Sequence, residues 1–102
     1  MDPCNEAMEK ALQGAHDVEV GDEYIVERNY NAALQRYQDA INEKPGDPAI
    51  HVRLGRAFEK LDQAPKAIEQ YKAAQQMAEP GKWSDEATAA LARLQHAHPS
   101  GK

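Results

Sequence analysis

Translated by 34 residues, the chain lies on itself, and this internal period limits the fold more than any other feature of the sequence. Val20 and Gly21 fall on Leu54 and Gly55, and Tyr24 falls on Phe58. Further on, Ala33, Leu34, Tyr37 and Ala40 fall on Ala67, Ile68, Tyr71 and Ala74. Glycine, alanine and aromatic positions that stay in register over this distance describe a unit built twice. The spacing inside each unit is helical. Tyr30, Ala33, Leu34, Tyr37, Ala40 and Ile41 form one apolar stripe, and Val52, Leu54, Ala57, Phe58 and Leu61 form another. Ile68, Tyr71, Ala74 and Met77 make a third, and Ala87, Ala90, Leu91, Leu94 and Ala97 a fourth.

Breakers separate the stripes: Pro45, Gly46 and Pro48, then Pro80 and Gly81, then Pro99 to Gly101. Helices are therefore predicted near 15–28, 31–43, 48–61, 65–78 and 84–97. Residues 4–13, with Ala7, Met8, Ala11 and Leu12, prolong the first one despite Gly14. Strand-type runs are missing, aromatics make up only 6% of the chain, and Ala, Leu, Gln, Glu and Lys dominate. The fold class expected is all-α, as helix–turn–helix hairpins within one small domain of 102 residues. In each hairpin Gly21 or Gly55 lets one backbone approach its partner, with Ala33 or Ala67 facing the contact. Tyr24 and Phe58 are expected to fill the space between helices, and Tyr37 and Tyr71 to pack toward the next unit. Pro45 ends the first unit; in the second that slot is Glu79, with Pro80 one residue late.

These residues resemble the tetratricopeptide repeat family. Residues 14–47 carry Val20-Gly21, Tyr24, Tyr30, Ala33, Tyr37, Ala40 and Pro45; residues 48–81 carry Leu54-Gly55, Phe58, Ala67, Tyr71 and Ala74. The departures are Asp17 and His51, where the family favours tryptophan, and Ala64 in place of the aromatic that Tyr30 supplies. The organisation expected is an N-terminal extension over 1–13, repeats over 14–47 and 48–81, a capping helix over 82–98 with Ser84 as its N-cap, and a tail over 99–102. Two repeats make a short array, so the capping helix, the extension or self-association has to supply the missing burial. Trp83 enters here with two readings: a hydrophobic staple over the last helix, or a contact in a homodimer.

The resemblance implies a non-catalytic scaffold for protein–protein interaction, in which the first helix of each repeat lines a concave groove for a peptide or a partner helix. Position by position it implies Ala15, Val18, Glu19, Asp22, Ile25 and Val26 in the first repeat, and Ala49, Val52, Arg53, Arg56, Glu59 and Lys60 in the second. Glu19 and Arg53, like Asp22 and Arg56, are 34 residues apart, which sets acids on one groove helix opposite bases on the next. They then form cross-repeat ion pairs, or else Arg53 and Arg56 capture a ligand carboxylate through their planar forks. One branch of the family clamps chaperone C-termini with Lys and Asn. Val18 and Asp22 occupy the first-repeat slots here, so that clamp is not reproduced and chaperone binding is a minor alternative.

Charge bears on the partner. The net charge is −5, and residues 1–47 hold 11 acids against 4 bases while residues 48–102 hold 6 against 8. An acidic chain is a poor match for nucleic acid. Its acidic front and mildly basic back suit another protein, or a second copy arranged head to tail. No apolar run reaches the ~20 residues of a membrane span. Chemistry finds little to work with. One cysteine makes neither an intramolecular disulfide nor a cysteine zinc site. His96 and His98 point apart on a helix, and His16 and His51 read as packing or surface residues. No phosphate loop, nucleophile constellation, metal site or cofactor is expected. Cys4 is a free thiol, an intermolecular disulfide partner, or the lipidated residue of an exported protein whose leader was removed. The start Met-Asp-Pro-Cys-Asn-Glu has no signal-peptide character, so the compartment expected by default is the cytoplasm.

Overall fold

The computed structural model describes residues 3–77 and 79–97, all of them in five helices and their connections, and no strand occurs among the described residues. The helices are α1 (Pro3–Val26), α2 (Tyr30–Glu43), α3 (Pro48–Lys60), α4 (Ala64–Met77) and α5 (Lys82–Ala97). They form two compact units, one up to Gly46 and one from Asp47 onward. His98 and the tail 99–102 lie outside the described residues, as do the side chains of Cys4, Ala7, Ala11, His96 and Ala97.

The first unit is the hairpin of α1 and α2. α1 runs unbroken through Gly14, where a helical glycine costs about 1 kcal/mol relative to alanine. The glycine has a local reason: a Cβ there would stand 2.7 Å from Cγ of Lys44, whose stem lies over the helix. Lys44 caps the C-terminal end of α2, so residues 3–13 continue α1 past the end of its partner, and Met8 and Leu12 are exposed on that overhang. Two hydrogen bonds close the turn between the helices, from Arg28 N–H to the Ile25 carbonyl and from Asn29 N–H to the Tyr24 carbonyl. Arg28 sits at φ +63°, and the Asn29 side chain then caps α2 by accepting from Ala32 N–H.

α3, α4 and α5 make up the second unit. Asp47 accepts from Ala49 N–H at 3.0 Å and Pro48 opens α3 at a position where its missing N–H costs nothing. Its turn repeats the first with an offset of 34. Asp62 sits at φ +59°, its N–H bonds to Glu59, and Gln63 N–H bonds to Phe58. Ile50, Val52, Leu54, Ala57, Phe58, Ala67, Tyr71 and Ala74 are buried, and Ala87, Ala90, Leu91 and Leu94 bury one face of α5.

Gly21 and Gly55 do occupy matching places, but what they admit differs from the expectation. A Cβ on Gly21 would lie 2.6 Å from Tyr37 Cε1, and one on Gly55 would lie 2.7 Å from Tyr71 Cε1. Each tyrosine therefore lays its ring on the glycine of its own hairpin. The missing Cβ makes room for an aromatic face, and side-chain packing sets the helix spacing. Three further expectations need adjusting. Met77 is exposed at the end of its stripe. α5 starts at Lys82, with Asp85 N–H bonded to the Gly81 carbonyl, so Ser84 is in the first turn and is not the N-cap. Trp83 also belongs to that first turn, whereas a staple residue precedes its helix.

Candidate functional site

In the first unit the residues expected to line the groove differ in access. Glu19 and Val26 are exposed, while Val18, Asp22 and Ile25 are half-buried. The Tyr37 hydroxyl donates to Asp22 Oδ1, so Asp22 anchors the tyrosine packed on Gly21. Five residues back, the Asp17 carboxylate is 98% removed from solvent and accepts from Arg36 at 3.1 Å. Glu43, on the last turn of α2, buries Oε2 without a hydrogen-bond partner. Burial, and then the neighbouring carboxylates of Asp17 and Asp39, push its carboxyl above the usual range.

The second unit holds a denser arrangement. Val52 is buried and forms part of the floor of an open cleft of about 290 Å³. Arg56 of α3, Tyr71 of α4, and Glu86, Ala89, Ala90 and Arg93 of α5 line the rest. Two ion pairs tie α3 to α5 at this cleft. Arg56 reaches Glu86 at 2.5 Å, and Arg93 grips both oxygens of Glu59, at 2.5 and 3.2 Å. The Tyr71 hydroxyl donates to the same Glu59 carboxylate. Burial works to raise the Glu59 carboxyl, but the hydrogen bonds from Arg93 and Tyr71 outweigh it and hold the group below its ordinary value. Tyr71 moves the other way: burial and the bond to Glu59 raise its phenol. The bond to Glu59 raises the Arg93 guanidinium as well.

Arg53 lies at 5.4 Å from the Trp83 ring centroid and Lys82 at 4.7 Å, so the half-buried tryptophan stacks against two cations. Lys60 is exposed at the end of α3. The structure therefore gives Arg56 and Arg53 neighbours on α5, residues that the acid–base reading between repeats does not consider. Sequence reasoning also misses Arg93 and Glu86. A signal for them exists, since Glu59 and Arg93 are 34 residues apart, as are Gly55 and Ala89, so the register runs on into the last helix.

No group of three His, Cys, Asp or Glu side chains is placed to hold a metal among the described residues, and no described helix is long and apolar enough to cross a membrane. A family model for the tetratricopeptide repeat matches residues 25–94. No curated protein matches the chain.

Proposed function

Because the chain belongs to the tetratricopeptide repeat family, whose repeats generally mediate protein–protein interaction, we propose that it is a non-catalytic scaffold that binds a peptide or partner helix along the first helices of its repeats. The repeats are assigned to residues 14–47 and 48–81, with 82–98 as the capping helix. The single observation that carries this reading is the match over 25–94, joined to two hairpins that seat Tyr37 on Gly21 and Tyr71 on Gly55. In the first repeat the binding face is assigned to Val18, Glu19, Asp22, Ile25 and Val26. In the second, Arg53, Arg56 and Lys60 present the polar contacts and Val52 backs them from below. A ligand carboxylate at Arg56 has to compete with Glu86, which makes Arg56 selective rather than strongly attractive.

A peptide array probed with wild type and with the Arg53→Glu/Arg56→Glu double variant tests the assignment. Peptides selected on the wild type are expected to lose at least about tenfold in affinity on the variant, the size of a lost charged contact, while the helical circular dichroism is unchanged. Equal binding removes the arginines from the site. Self-association is the second reading, favoured by the exposure of Met8 and Leu12 one turn apart on α1. Light scattering on the eluting peak decides it: a mass of 11.3 kDa leaves the face to a foreign partner, and twice that mass makes a second copy the partner.

A further inference from the structure

Resting on that reading, we infer that the cleft of the second unit takes a neutral aromatic side chain, a Trp, Tyr or Phe of the bound segment, held between the guanidinium faces of Arg56 and Arg93. Charge is the first reason. Each arginine at the rim is balanced by a carboxylate of the same unit, Arg56 by Glu86 and Arg93 by Glu59. An incoming anion meets two neutralised cations and two acids, and gains little for the water it loses. A neutral ring has no such conflict.

The guanidinium geometry is the second reason. The group is planar, and its N–H edge is turned to the carboxylate while its faces are left to stack. The Arg56 and Arg93 side chains are 53% and 58% exposed, so those faces reach solvent. The unit already uses its cations in this way, with Arg53 and Lys82 on Trp83 and Lys66 at 5.9 Å over Phe58. Size and floor agree. About 290 Å³ lies at or below the roughly 300 Å³ where small-molecule pockets begin, which suits one large side chain. Val52 and Ala90 are apolar and small, and exposed Ala89 leaves the entrance open.

The test is amide NMR of the full chain titrated with N-acetyltryptophanamide, alongside N-acetylleucinamide and the amide of N-acetylglutamic acid. The tryptophan probe is expected to give saturable shifts at Val52, Arg56, Ala89 and Arg93, with weaker effects from leucine and none from glutamate. Ala89→Leu fills the entrance from an exposed helical position and is expected to cut the tryptophan affinity tenfold or more. Arg93→Gln, which removes one cation face, is expected to cut it about two- to fivefold, the range of an exposed cation–π contact. No saturable shift from tryptophan, equal binding to Ala89→Leu, or larger shifts from glutamate overturns the inference. The scaffold reading is judged separately on the array. Peptides that lose binding on the Arg53→Glu/Arg56→Glu variant but tolerate replacement of their own aromatic residues uphold the scaffold and remove the aromatic site.

Discussion

The two hairpins share a frame and differ in what they hang on it. In both, a tyrosine of the second helix lies on a glycine of the first, and the turn passes through a left-handed residue and closes with the same pair of backbone hydrogen bonds. The polar contacts then diverge at equivalent places. Asp17 and Arg36 form a charged pair where His51 and Gln70 form a neutral one, with His51 Nδ1 at 2.7 Å from Gln70 Oε1. Tyr37 bonds to Asp22, but Tyr71 bonds to Glu59, one turn further along its helix. The shift adds a polar tie to α5: Glu59 is in reach of Arg93, whereas its counterpart in the first unit is Ile25. The repeat thus fixes backbone and ring, and in the second hairpin the carboxylate that holds the tyrosine, three positions further along α3, also binds Arg93 of α5.

The largest effects are expected at the glycines that the two hairpins share. Gly21→Ala and Gly55→Ala are each expected to destabilise the chain by about 1–3 kcal/mol, because the new methyl overlaps a buried ring and outweighs the gain in helix propensity. Urea unfolding of the two variants checks it, and losses that differ widely would mean the hairpins are not equivalent after all.

The charged and neutral pairs sharpen it next. A hydrogen bond to a charged group contributes about 1.5–3 kcal/mol and a neutral one about 0.5–1.5 kcal/mol, so Asp17→Ala should cost more than His51→Ala. Double-variant cycles with Arg36→Ala and Gln70→Ala isolate the coupling in each unit. A larger coupling for His51 and Gln70 would reverse the ranking.

The smallest effects come from pH, and the two units are expected to respond in opposite directions. The Glu59 carboxyl is held below its ordinary value, so its stabilisation is complete above the unfolded-state pKa and is lost as pH falls through the folded one. Glu43 is raised by burial and by Asp17 and Asp39, so its charge burdens the fold at neutral pH and the burden lifts as pH falls through its raised value. At pH 7, Glu43→Gln should raise the urea midpoint and Glu59→Gln should lower it. Both differences should shrink toward pH 3. A Glu43→Gln variant less stable than wild type at neutral pH would show that Oε2 is satisfied in solution.

Much of the frame is legible in the order of the residues alone. Local spacing and a fixed offset are written directly in the chain, so the stripes, Gly21 with Gly55, and Tyr37 with Tyr71 all stand out, and the helices fall within a few residues of their expected bounds. The seating of each tyrosine on the glycine of its own hairpin is not legible, because a buried ring looks the same in sequence whichever neighbour it lies on. The neighbours of Arg53 and Arg56 escape for another reason. Trp83 and Glu86 are on a helix that reads as a cap, so nothing in the sequence marks them as neighbours of the arginines. Asp17 stands out only as a missing tryptophan, since nothing local announces that a carboxylate will be buried beside Arg36.

The left-handed turn residues have a consequence of their own. Arg28 and Asp62 hold a conformation that burdens an ordinary side chain such as arginine by roughly 1–2 kcal/mol, an aspartate less, and glycine hardly at all. Both hairpins carry this penalty at the same point, away from the packed rings. Each corner is therefore an untapped reserve, where one glycine could offset a harmful change elsewhere and leave every side chain of the cleft as it is.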